Sequence, residues 1–357
     1  MPLILAAAAL IAAAACTNDD NAVTVDNNTP VPARITAAMA DGAVATPDTK
    51  SGNSAMTGDA ASTRAAGTRW NRDHIGVVVS QSPGSDMTAR YRNARYATTS
   101  TGTTADFAPT DAANAIYFAD PDETVTFWAY APYQPSADAA TLPGTNADGQ
   151  LFFDMRRQTT PEEQEAVDIL RALPTTASKS NPTVAFKFAH CMSRLVLKIQ
   201  TPAMYGFSPD DVERITAVKI GGLCTTGYIE ISDRGFGVGY DEGSRTQEWD
   251  ITQNMNSVQT TGGVTQRVYT LIIPSMQRVK DKDGNFIDAI PLSITLDGQD
   301  YKNTTDLKGD PDAPGCFFAG NSYEYTVSLK KTGLEVTGAT ITPWADGGTG
   351  SGDAVQE

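Results

Sequence analysis

Hydrophobic and polar positions alternate along much of this chain, most clearly in residues 186–200, FKFAHCMSRLVLKIQ. Phe186 and Phe188 alternate with Lys187 and Ala189, then Leu195, Leu197 and Ile199 alternate with Val196 and Lys198. Period two is the mark of a strand with one buried face. The apolar parity flips between His190 and Leu195, so the stretch holds a bulge, a bend or a short turn. It is the longest core-seeking run outside the N-terminal leader and lies near mid-chain. It therefore predicts the last strands of a first domain and the seam to a second.

The same period recurs elsewhere. Residues 31–40 (VPARITAAMA) form a candidate strand, with Asp41 and Gly42 as its turn signal. A strand starts at Ile75, and residues 124–133 (TVTFWAYAPY) make another. In the latter Val125, Phe127 and Ala129 share one face, while Trp128 and Tyr130 share the other. Such a strand is buried twice or carries an exposed aromatic ridge. Further strands are expected at Ile215–Ile220, residues 228–231 and 268–273, Leu292–Leu296 and residues 323–329, with turns at Asp283-Gly284 and Asp297-Gly298. Only residues 160–173 read as helix. Thr160 can cap, Pro161 fits the first position, Glu163 completes a capping box, and Ala166, Ile169, Leu170 and Leu173 fall on one side. Strands divided by turns, with one short helix, predict an all-β protein of two tandem β-sandwiches.

Residues 1–15, MPLILAAAALIAAAA, are an apolar run. As a helix they would span roughly 22 Å, short of a membrane crossing, and a secretory signal peptide fits better. Ala13, Ala14, Ala15 and Cys16 form a lipobox-like end, which makes Cys16 the candidate lipidation site. Residues 16–30 then read as a polar tether. Residues 46–67 are poor in apolar side chains and predict an exposed loop far longer than an ordinary connection. Arg64 lies in this loop and Arg69 just precedes Trp70; an accessible arginine here is a proteolytic site by exposure alone. The expected domains are residues 31–203 and 204–344, followed by a flexible tail, 345–357.

The chain has 357 residues and a net charge of −15, with two histidines and four cysteines. That acidity repels nucleic acid, which is not an expected partner. Besides Cys16, the cysteines are Cys191, Cys224 and Cys316, with no metal-ligand spacing. They read as buried small hydrophobes, with one disulfide as the alternative. No phosphate loop, GxSxG elbow or HExxH occurs. GFGVG at 235–239 lacks a strand–helix context and reads as a hairpin. Asp281, Asp283 and Asn285 resemble the start of a calcium loop, but Phe286 stands where that loop needs glycine, so they read as a turn. His190 and Cys191 are neighbours on a strand, hence on opposite faces, and do not form a nucleophile–base pair. No cofactor, metal or enzymatic activity is expected.

Several segments form an ordered series: Cys16, TRAAGTRW at 63–70, DHIGVVV at 73–79, VTFWAYAPY at 125–133 and DILRA at 168–172. FKFAHCMSRLVLKI at 186–199, YEYTVSLKKTGLEVTG at 323–338 and ITPW at 341–344 complete it. This series resembles the fimbrillin family of Bacteroidales surface fimbriae, including accessory and tip proteins. The resemblance implies transthyretin-like, Greek-key sandwiches and a lipoprotein anchored by Cys16 at the outer membrane. It also implies an Arg-specific surface protease that cuts stalk subunits, with Arg64 matching by position and Arg69 as second choice. The strand lost would lie in residues 31–40, and a neighbouring fimbrial subunit would donate its replacement. The tail at 347–357 offers only Ala354 and Val355 as apolar donor residues, which leaves residues 332–344 as the donor candidate. The alternative is an anchored accessory lipoprotein that does not polymerise and binds a host protein or glycan, with Trp128 and Tyr130 as candidate ligand-contact aromatics.

Overall fold

The computed structural model describes residues 29–39, 70, 73–81, 91–121, 123–135, 150–231 and 236–344. The leader, Cys16, the 46–67 loop, Arg64, Arg69 and the tail lie outside the described residues. Five strands longer than two residues come first among the described residues: β1 (Arg34–Met39), β2 (His74–Gln81), β3 (Ala94–Ala97), β4 (Thr104–Pro109) and β5 (Thr124–Ala131). After β6 (Gln150–Asp154) and helix α1 (Pro161–Val167) follow β7 (Leu170–Ala172), β8 (Thr175–Ser178) and β9 (Thr183–His190). All except β6 join one sheet, in the order β8-β5-β2-β3-β4-β1-β9-β7.

That sheet closes on itself. β7 bonds to Phe188, Ala189 and His190 of β9, and also to Tyr130 and Ala131 of β5. Strands β5, β2, β3, β4, β1, β9 and β7 thus run round to meet. The expectation of a sandwich for the first unit is corrected to a barrel. The cause is β7, three buried residues that reach both would-be edges and leave neither unpaired. Ile75, Val77, Phe107, Phe127, Phe186 and Phe188 fill the interior.

Among the described residues, ten strands longer than two residues follow. They are β10 (Ser193–Gln200), β11 (Ile215–Ile220), β12 (Thr226–Ile231), β13 (Phe236–Tyr240) and β14 (Asn256–Thr261), then β15 (Val264–Ile273), β16 (Leu292–Leu296), β17 (Gln299–Asn303), β18 (Asn321–Lys330) and β19 (Gly333–Pro343). One sheet runs β14-β15-β10-β18-β19, and a second contains β11-β16-β17. Leu195, Leu197, Tyr323 and Tyr325 of the first share a core with Val218, Ile220, Leu292 and Ile294 of the second. A third, small sheet runs β13-β12-β6. The β16–β17 hairpin turns through Asp297 (φ 50°) and Gly298 (φ 79°), two left-handed residues as a tight hairpin requires.

The parity flip at mid-chain is the crossing between units. β9 ends at His190 in the barrel, and β10 begins at Ser193 in the five-stranded sheet, with Cys191 and Met192 buried between. β10 pairs with β15 and β18 of that sheet, upstream of residue 203. Alternation identifies a strand but not the sheet it joins.

Helix α1 starts as expected and ends early. Thr160 Oγ1 accepts the N–H of Glu163 at 3.3 Å, and Pro161 opens the helix. The Glu163 carboxylate reaches back to Thr159, whose N–H it accepts at 2.8 Å. Helical geometry stops at Val167, because Leu170 and Ala172 are wanted in the barrel core and tertiary pairing outweighs propensity. Thr160→Ala should cost about 1 kcal/mol, read as a lower urea midpoint with an unchanged slope. No described helix is long and apolar enough to cross a membrane.

Candidate assembly site

β1, with sequence RITAAM, alternates as an inserted strand should. Ile35, Ala37 and Met39 are buried, whereas Arg34 is exposed and Thr36 and Ala38 are half-buried. It is antiparallel to β4, with Ile35 opposite Phe107 and Ala37 opposite Ala105. On its other side it is parallel to β9, with Arg34 beside Thr183 and Met39 beside Phe188. The short strand before it, Val31–Pro32, pairs with Tyr117–Phe118. The first described segment of the chain is thus an interior strand, hydrogen-bonded on both sides. Without it, β4 and β9 would each expose a row of unpaired N–H and C=O groups.

Beneath this slot sits Trp70, a residue whose role the sequence did not reveal. Its indole is 1% exposed and meets Phe107 and Phe188 edge-on, each at a centroid distance of 5.1 Å. Those two rings belong to the strands flanking β1, so Trp70 braces both walls of the slot. Its backbone N–H donates to Gly102 O at 2.9 Å. The available signal was a tryptophan just after a long stretch of sequence poor in apolar side chains.

Trp128 and Tyr130, the candidate ligand-contact aromatics, are 1% and 0% exposed. That assignment is corrected. Together with Val78 they lie on the outside of the barrel and join the second unit's core, which leaves no surface for a ligand. β5 has two apolar faces because it is buried twice. The Tyr130 ring lies over Gly76, where a Cβ would approach its Cε1 to 2.1 Å, so only glycine lets the ring cross the strand. Tyr130 Oη donates to Asn93 Oδ1 at 2.8 Å, while burial pushes its hydroxyl pKa well up.

The far end of the chain is fastened at the same seam. His190 Nδ1 lies 2.7 Å from Asp168 Oδ1, with both side chains buried. The His190 ring stacks on Trp344 at 3.7 Å and 6°. The Arg194 guanidinium lies 5.4 Å from the Trp344 ring centroid; burial pulls its pKa down to about 10, opposed by Asp168 and Glu324. Trp344 immediately follows β19, and its N–H donates to Gly320 O at 2.7 Å. Cys191 is fully enclosed, and burial drives its thiol pKa far up, the reverse of what a nucleophile needs. Cys191, Cys224 and Cys316 are all free thiols. Asp281 uses Oδ1 to accept the N–H groups of Asp283 and Asn285 at 2.9 and 2.8 Å, a turn rather than a cation cradle.

A barrel holding an N-terminal strand mid-sheet, joined through a shared core to a second β unit, defines an all-β class with solved examples. A cell adhesion protein from Bacteroides ovatus aligns with a TM-score of 0.62 at 20% identity, covering 88% of this chain and 98% of its own. One from Bacteroides uniformis aligns with a TM-score of 0.58 at 18% identity, with the same coverage of 88% and 98%. In sequence, the fimbrillin-like family model matches residues 63–344, and the chain belongs to that family. A Bacteroides uniformis protein described as a fimbrium subunit, Fim1C, is 25% identical over 305 residues, 83% of this chain and 86% of that protein.

Proposed function

We propose that this protein is a subunit of a cell-surface fimbria, exported as a lipoprotein through Cys16 and assembled by protease-triggered strand exchange. The observation that carries the reading is β1. It is an interior barrel strand with three alternate buried side chains, yet residues 40–69, which contain Arg64, separate it from the next described residue. A cut in that stretch severs β1 from the barrel it completes. The incoming strand would have to run parallel to β9 and antiparallel to β4, with a small residue in the central pocket now filled by Ala37. Family membership and the fimbrium-subunit relative support the same assignment.

Arg64 is the better cleavage site. A cut after Arg69 would make Trp70 the new N-terminus, and Trp70 is already buried and bonded to Gly102. A protease needs several extended residues on either side of the scissile bond, and a braced indole denies them. The partners are then other fimbrial subunits, an Arg-specific surface protease and the outer membrane through the lipid anchor.

One observation favours a second reading, an anchored accessory protein that does not polymerise and binds a host protein or glycan. Residues 332–344, the donor candidate, are already engaged: β19 pairs along β18 from Gly333 to Pro343, and Trp344 is 1% exposed. Donation from this segment would first require stripping it from its own sheet.

The test is to treat the mature protein with an Arg-specific protease, sequence the new N-terminus and run unboiled SDS-PAGE. Strand exchange predicts a single start at Ala65 and an SDS-resistant ladder, both lost in Arg64→Ala. A protein that resists cleavage, or is cut and stays monomeric, refutes polymerisation and favours the accessory reading.

A further inference from the structure

The outward face of the small sheet β13-β12-β6 carries aromatic side chains that neither core covers. Phe152 on β6 is 57% exposed. It is the cross-strand partner of Tyr228 on β12, which is in turn the partner of Gly239 on β13. The two ring centroids are 6.2 Å apart, with planes at 65°. A Cβ at Gly239 would fall 2.1 Å from Tyr228 Cζ, so the tyrosine ring lies across the glycine. Tyr228 therefore makes a floor, and Phe152 stands beside it as a wall.

The pair is held in place from behind. The Gln134 side chain accepts the N–H of Phe152 at 3.2 Å and donates to its carbonyl at 3.0 Å, clamping β6 like a further strand. The Gln134 backbone N–H donates to Tyr130 Oη, within the shared core, at 3.4 Å. A site so supported loses little freedom when a ligand arrives.

One row along the sheet, Gln150 and Glu230 are partners, bonded at 3.3 Å. Beside them, among the described residues, a Cβ at Gly237 would meet only Glu230 Oε2, at 3.9 Å. In the opposite direction Asp154 is paired with Arg156 and offers no bare charge. The face is thus an aromatic floor and wall with a carboxylate and an amide along one side.

That combination matches the two-sided chemistry of a sugar. The C–H face of a pyranose is apolar and packs on an aromatic ring, while its hydroxyls donate to carboxylates and bond to amides. Charge narrows the class. Glu230 borders the rings on a chain of net charge −15, so sialylated or sulfated sugars are repelled. An apolar segment of a second copy would cover the rings but bury the Glu230 carboxylate with a neutral amide, Gln150, as its donor.

We infer that this face binds a neutral hexopyranose, stacked on Tyr228 against Phe152, with a hydroxyl donated to Glu230 above Gly237. The site is separate from the β1 slot and needs neither cleavage nor assembly. It moves glycan recognition away from Trp128 and Tyr130, which are buried, to aromatics that solvent reaches.

The test uses the uncut mature chain on an array of neutral galactose- and glucose-terminated oligosaccharides and their sialylated counterparts, followed by titration of any retained sugar. Neutral sugars should be retained and sialylated ones not. Phe152→Ala removes the wall, and Gly237→Val fills the space beside Glu230 at a position with ordinary backbone geometry. Each should weaken binding by about tenfold or more with an unchanged melting temperature. Failure to retain any neutral sugar, or preference for sialylated ones, would overturn the assignment. So would undiminished binding in both variants, or a Phe152→Ala effect on self-association alone.

Discussion

Ala37→Asp is expected to lower the stability of the intact chain by about 3–5 kcal/mol, while leaving a polymer assembled from cut subunits as stable as the wild type. Ala37 is 3% exposed at the centre of β1, facing Ala105 across β4 and the barrel's aromatic interior. A carboxylate there has no counter-charge among the core residues around it and must either stay ionised without water or take up a proton. Both routes are costly in the intact protein. Under the strand-exchange reading, cleavage removes the altered strand and a neighbour's strand fills the same pocket. Urea denaturation of the uncut monomer and thermal melting of the polymer measure the two states. If the polymer inherits the defect, β1 is not the strand that leaves, and the exchange reading fails.

Trp344→Ala should cost a comparable amount, about 3–5 kcal/mol, with the loss concentrated at the end of β19. The indole is sandwiched between the His190 ring and the Arg194 guanidinium at the seam. Truncation leaves a void against a buried His–Asp pair and frees the last residues before the tail. Hydrogen exchange should speed up at Ile341 and Thr342 while the β16–β17 hairpin stays protected. Trp344→Phe keeps a ring on His190 and should recover much of the loss. Wild-type melting of Trp344→Ala would mean that the stack holds nothing. The variant also bears on assembly. If residues 332–344 donate, loosening their anchor should speed ladder formation by the cut protein.

How far the sequence reached can be judged element by element. β1, β5, β9, β10 and β18 were all legible, because each buries at least one face and period two records that directly. The Asp297-Gly298 hairpin was legible because left-handed backbone geometry admits few residues. The first turn of α1 was legible through Thr160, Pro161 and Glu163. Its end was not, because Leu170 serves a helical stripe and a buried strand equally well, and only the presence of β5 and β9 on either side decided for the strand.

The candidate site was half legible. A strand at residues 31–40 could be read directly, and the ordered motifs pointed to a family that the chain does belong to. That β1 sits between β4 and β9 could not be read, because no local pattern encodes which strands a segment will join. Trp128 and Tyr130 illustrate the same limit. Their apolar face promised either a second core or an exposed ridge, and the packing of a whole second unit settled it. Phe152 and Tyr228 fell on the other side of that ambiguity, as aromatics left facing solvent.

By itself, then, the sequence determined the class of structure, the positions of the main strands and the family. These follow from local alternation, turn geometry and the ordered motif series. Only the tertiary structure decided that the first sheet closes through β7, that the seam lies at Cys191 and Met192, and which aromatics are covered. Those outcomes depend on contacts between residues far apart in the chain, where burial and strand pairing are set jointly by both partners.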